Sequence, residues 1–233
     1  MLLKMRNLLS CMAATLVLAS PVSNAALLDF TDLDVLDALS KSGSGTSTTY
    51  SGLIDNVAFT LSATGGTLKK HNDSKYDGSS YIGCQATGGP LKCDKDGLGV
   101  DNDEITGYSD QAAKEKIIIS FAKPVSISDF YFLDLYKGSQ QETAKVTING
   151  LTYGLNASAT SGDGGFGGLS LLTPLITDQI VFAAPFKIGD DGNNDFAVAG
   201  LSLTPVPLPA AAWLFVSGLA GVAWLRRRKI TAA

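Results

Sequence analysis

Residues 145–154 read KVTINGLTYG, two alternating runs joined by Asn149-Gly150. A two-residue β-hairpin of the type I′ class needs positive φ at both central positions, and Asn-Gly is the pair that adopts it with least strain. The stretch predicts two antiparallel strands. Upstream, Val125-Ser-Ile-Ser-Asp-Phe-Tyr-Phe-Leu-Asp-Leu135 alternates, then changes phase around Phe130 to Leu133. That change predicts either a bulge or a strand buried on both faces. Ile117-Ile118-Ile119-Ser120-Phe121 precedes it, and Lys123-Pro124 is expected to break the run because proline cannot donate to a ladder.

The same reading extends to both ends. Val57, Phe59 and Leu61 alternate with Ala58, Thr60 and Ser62, placing three apolar side chains on one face of a strand that Gly65-Gly66 ends. Leu27-Leu28-Asp29-Phe30 reads as the first strand, while Leu33, Leu36 and Leu39 fit a short helical turn or a second extended piece. Ile180 to Ala183 and Phe196 to Leu203 read as the last strands. Three stretches are too polar and glycine-rich for core and are expected as loops: 41–50, the long 71–110 and 158–168. Roughly eight or nine short strands without a long helix predict an all-β fold, a β-sandwich of jelly-roll type.

The two termini have a different composition. Met1 to Asn7 carries Lys4 and Arg6, Leu8 to Ala19 is apolar, and Ser23-Asn24-Ala25 offers the small residues that a signal peptidase reads, so residues 1–25 are expected as a signal peptide cut after Ala25. At the other end, Pro205-Val206-Pro207-Leu208-Pro209 cannot be helix interior or central strand. Residues 210–225, AAAWLFVSGLAGVAWL, hold no charge. As a helix they would span roughly 24 Å against a hydrocarbon core of about 30 Å. Arg226, Arg227, Arg228 and Lys229 then resist translocation and hold that end on the cytoplasmic side. By hydropathy alone an ordinary single-pass anchor is the competing reading.

The composite of proline motif, marginal helix with SGLAG at its middle, and arginine cluster resembles the PEP-CTERM sorting signal of Gram-negative bacteria. The resemblance covers residues 205–229, with Val206, Pro207, Leu208 and Pro209 at the motif and Leu208 where the family has glutamate. It implies recognition and cutting by an exosortase, a membrane-embedded cysteine transpeptidase-like enzyme. It also implies transient residence in the inner membrane and delivery to the cell surface or extracellular matrix. Residues 26–204 would then be the exported domain.

That domain is acidic. Lys4, Arg6 and the four tail cations lie in the targeting segments, which leaves twelve of the 18 cations against all 22 acids, a charge near −10. Nucleic-acid partners are disfavoured, since phosphate contacts need concentrated Lys and Arg; polysaccharide suits the composition better. Cys84 and Cys93 are expected to pair, because nearby cysteines in an oxidising compartment do so and two thiols alone do not make a metal site.

Chemistry is thinly signalled. Asp94, Asp96, Asp101 and Asp103 on one glycine-rich stretch, and Asp191, Asn193 and Asp195 on another, supply the oxygen ligands that calcium prefers, although neither has EF-hand spacing. A solvated loop that keeps an edge strand soluble is the reading preferred over calcium for both. His71 is the single histidine and no Gly-x-Ser-x-Gly elbow accompanies it, so no nucleophilic triad and no catalytic residue is assigned. The function expected is a non-catalytic surface or matrix component associated with exopolysaccharide or biofilm. The alternatives are a carbohydrate-binding module with structural calcium and, below that, a secreted hydrolase.

Overall fold

The computed structural model describes residues 24–71, 84, 89–101, 104–107, 115–137, 141–158, 165–185 and 194–206. The expected signal peptide up to Ser23, Pro207 to Pro209, the apolar segment 210–225 and the basic cluster 226–229 therefore lie outside the described residues. Residues Asn24–Val206 belong to one compact unit. Its strands are β1 (Ala26–Asp29), β2 (Ser40–Ser42), β3 (Thr49–Ile54), β4 (Val57–Thr64), β5 (Leu68–His71), β6 (Gly97–Val100), β7 (Lys116–Leu133), β8 (Thr143–Ile148), β9 (Leu151–Asn156), β10 (Gly167–Ala183) and β11 (Ala197–Pro205). A single α-helix among the described residues, α1 (Leu33–Ala38), follows β1. Asp32 caps it by accepting the Asp34 N–H at 2.9 Å.

All strand pairs are antiparallel. The hairpin at Asn149-Gly150 forms as expected, with φ of 51° and 78° and Ile148 opposite Leu151. A second two-residue turn, Asp55-Asn56 with φ of 47° and 62°, joins β3 to β4 without any glycine. Asx residues tolerate the left-handed region, which is why the pair suffices.

Two long strands organise the rest. The first part of β7 pairs with β4 from Lys116 to Phe121, and its second part pairs with β11 from Val125 to Leu133. β10 follows it through both parts, reaching β8 on its far side at Ile180–Ala183. One leaf is thus β2-β3-β4-β7-β10-β8-β9, and the other is β10-β7-β11 with β1 and the β5–β6 pair on the outer edge of β11. Both leaves face one core, which holds Phe59 and Val146 from the first and Phe130, Leu98 and Leu201 from the second. This is the geometry of an all-β sandwich.

Pro124 does not end β7, contrary to expectation. Residues 122–124 are exposed and lie between the two ladders, where the β10 register jumps from Gln179–Ser120 to Thr177–Val125. No N–H is missed there. The same device lets Pro174 sit inside β10, in the register break between Ser170 and Leu175. The phase change in β7 proves to be both things offered for it. Ser128 is an extra residue against β11, and past it Phe132 points into the main core while Leu133 packs in a second cluster on the other face. The expected loops 41–50 and 71–110 also contain strand: β2 with the start of β3, and β5 with β6. Gly97, at φ 103°, lets β6 approach β11 so closely that a Cβ would lie 2.5 Å from the Val198 carbonyl oxygen.

Candidate functional site

The first acidic stretch is structural where it is described. Cys84 and Cys93 form the expected disulfide, with Cα atoms 5.8 Å apart, and both pack with Leu91, Leu133, Ala197 and Ala199 in the second apolar cluster. Residues 91–95 are laid onto the segment after β1 by a buried polar network. The Asp29 carboxylate accepts from Thr31 N at 2.8 Å, Thr31 Oγ1 at 2.6 Å and Lys92 N at 2.7 Å. Thr31 Oγ1 in turn accepts from Cys93 N at 2.9 Å, and the Thr31 carbonyl accepts from the backbone N–H groups of Asp94 and Lys95. At the surface Lys92 Nζ meets Asp32 at 2.7 Å and Asp34 at 3.6 Å. The hydrogen bond with Asp32 raises the lysine's pKa.

Asp94 is exposed and Asp96 is buried just before β6, whereas Asp101 stands just beyond its far end. Asp101 closes the β5–β6 pair by accepting the Thr67 N–H at 2.6 Å and donating its own N–H to Thr67 O at 2.7 Å. Asp103, Asp191 and Asn193 lie outside the described residues. Among the described residues no group of three His, Cys, Asp or Glu side chains is arranged to hold a metal ion.

Asp195 has company that no local pattern announced. Just before β8, Glu142 accepts the Tyr136 N–H at 2.5 Å, and Asn194 bridges to Thr143 through both its amide groups, at 2.7 and 3.3 Å. These bonds tie the approaches to β8 and β11 together. The Glu142 carboxyl is pushed up to about 8, first by burial and then by the charge of Asp195, a hydrogen bond with it and the charge of Asp134, against the lowering effect of the Tyr136 N–H. Its proton is therefore held near neutral pH. Asp195 is far in sequence from Asp134 and Glu142, so spacing could not find the group.

A cleft of about 400 Å³ lies elsewhere, between α1, β1 and the β3–β4 hairpin. Leu27, Leu28, Val35, Leu39 and Phe59 supply apolar lining, and Asp34 and Asp55 stand on two of its walls. Gly52 lies under the Phe59 ring, where a Cβ would come within 2.7 Å of it. Leu53 at the mouth is 75 % exposed. Sequence reasoning did not single out this site, because its walls come from three separate elements.

No family model matches the chain, and no curated protein does. Several solved structures are similar in part. The family 32 carbohydrate-binding module of C. perfringens NanJ, in complex with galactose, shows 12 % identity over 41 % of this chain and 69 % of its own, with a TM-score of 0.25. A GH31 module, CBM32-2 bound to GalNAc, shows 14 % identity over 62 % and 93 %, with a TM-score of 0.28. The family 32 module of Streptococcus pneumoniae EndoD shows 11 % identity over 46 % and 82 %, with a TM-score of 0.22.

Proposed function

We propose that this chain is an exported, non-catalytic surface or matrix protein whose sandwich binds extracellular polysaccharide and whose tail is an exosortase sorting signal. The observation that carries the reading is the Cys84–Cys93 bridge, buried under a loop that is fastened to the strand beside it. A disulfide of this kind belongs to a compartment outside the reducing cytosol, as a signal peptide over residues 1–25 requires. The tail fits the same route. β11 ends at Pro205, so Val206-Pro207-Leu208-Pro209 follows the last strand directly in sequence, and its prolines disfavour helix there.

The sorting claim is tested by fusing residues 205–233 to an unrelated exported reporter, in a Gram-negative host with and without an exosortase. The proposal expects release of a shortened reporter only when the enzyme is present; a reporter that stays embedded and full-length in both hosts removes it. The binding claim is tested separately, by retention of the oxidised protein on a polysaccharide panel that includes galactose- and N-acetylgalactosamine-bearing chains. Retention that free sugar reverses supports it, and passage through every column overturns it.

A further inference from the structure

The polysaccharide reading leaves the cleft between α1 and the β3–β4 hairpin unused, and its chemistry suits another ligand. We propose that it binds a basic peptide segment, seating one large apolar side chain between flanking lysines or arginines.

The interior is aliphatic. Phe59, the aromatic residue of the lining, is only 2 % exposed, so it offers no open ring on which a sugar could stack. A cleft of about 400 Å³ accommodates one or two side chains and falls within the range of ordinary ligand sites. Its walls are preformed: Asp55 and Asn56 hold a left-handed turn, and α1 is capped by Asp32. Leu53 stands 75 % exposed at the mouth, and Leu33, on α1, is 41 % exposed. These side chains add apolar surface for an arriving chain to cover.

Charge selects the partner. Asp34 and Asp55 belong to different walls, and Asp37 is exposed on the same helix as Asp34. Lys92 is shared between Asp32 at 2.7 Å and Asp34 at 3.6 Å, and Lys70 donates to the Leu36 carbonyl while lying 5.4 Å from the centre of the Tyr50 ring. An anionic ligand would meet the exposed carboxylates of Asp37 and Asp55, and that of Asp34, which one lysine shared with Asp32 only partly offsets. Carboxylates on two walls match cations on both sides of a buried side chain better than the single head group of a detergent-like amphiphile.

The test is calorimetric titration of the oxidised full chain with three probes: acetyl-Lys-Leu-Trp-Lys-amide, its Glu-for-Lys counterpart, and dodecyltrimethylammonium below its micellar range. The proposal expects binding of the basic peptide that weakens with salt, and no heat from the acidic one. Asp34→Asn with Asp55→Asn should weaken the basic peptide about tenfold, as expected from losing two partly screened charge contacts. Both side chains are exposed and Asn accepts the positive φ of Asp55, so thermal melting should be unchanged. Ala38→Phe, which fills the cleft, should abolish binding. Equal binding of the acidic peptide, an unchanged affinity in the double variant, or heat from the detergent alone would each overturn the proposal. The polysaccharide columns report independently of all three.

Discussion

Two places in the molecule bury carboxyl groups between distant segments, and they do it in opposite ways. Beneath the disulfide loop, Asp29 is surrounded by donors: two N–H groups and one hydroxyl, all within 2.8 Å. At the junction before β8 and β11, Glu142 has one N–H donor and faces two further acids, Asp195 and Asp134. A carboxylate satisfied by fixed amides is a pin, since the charge and its partners are built for each other. A carboxyl held among other carboxyls keeps its place by keeping its proton, which makes the contact a function of pH. The comparison teaches that a carboxyl drawn into the fold gives either permanence or sensitivity, depending on what faces its oxygen atoms.

The largest effect should come from the pin. Asp29→Ala leaves Thr31 and Lys92 donors buried without their acceptor, and we expect a loss of about 3 kcal/mol, on the order of 10 °C in Tm for a domain of this size. A change under about 1 kcal/mol would mean that the network follows the fold rather than holding it. Replacing both cysteines, Cys84→Ser with Cys93→Ser, should lower stability by about 2–3 kcal/mol by freeing a short loop in the unfolded chain. Because the disulfide and Asp29 act on one segment, combining the changes should cost less than the separate losses together. Strict additivity in urea melts would show that they are independent.

The junction gives a smaller, pH-dependent signal. A carboxyl with its folded pKa raised from 4.5 to about 8 binds a proton that the unfolded chain releases. Its contribution to stability is therefore complete below about 4.5 and is lost as pH rises through about 8. Glu142→Gln mimics the protonated form and should flatten that slope. Allowing for solvent screening of a half-buried group, the difference between pH 5 and pH 9 should be about 1–2 kcal/mol. Parallel pH profiles for the two proteins would contradict the sharing of a proton with Asp195. The smallest effect should be that of Lys92→Ala. Its ammonium is exposed, Asp34 is open to solvent, and the buried Asp32 keeps the Asp34 N–H as a donor, so melting should stay nearly unchanged. If it matched Asp29→Ala, the ion pair rather than the backbone donor of Lys92 would be what fastens the loop.

These contrasts also mark what the sequence could carry. Alternation and an Asn-Gly pair are local properties, so β4, β8, β9 and the β7 phase change were legible from Val57, Phe59, Leu61, Asn149 and Phe130. Pro124 misled because a proline disqualifies a strand only where its N–H would have had a partner, and partner exchange is invisible along one chain. β6 was hidden because Gly97 and Gly99 look like loop residues until β11 is known to press against them. The Cys84–Cys93 pair was readable from compartment chemistry and proximity. The Glu142 junction and the cleft beside α1 were not, since each is assembled from elements brought together only by the closed sandwich. Of the oxygen ligands proposed for calcium, Asp101 is engaged in closing a hairpin, a role that no count of acids reveals.

The most direct test of the whole account is the intact mass of the protein recovered from the surface or medium of an exosortase-bearing host. The account predicts a chain that begins at Ala26, ends within Val206 to Pro209, and is lighter by the pair of hydrogens lost in the Cys84–Cys93 bond. A recovered chain that still ends at Ala233 and carries two free thiols would contradict it.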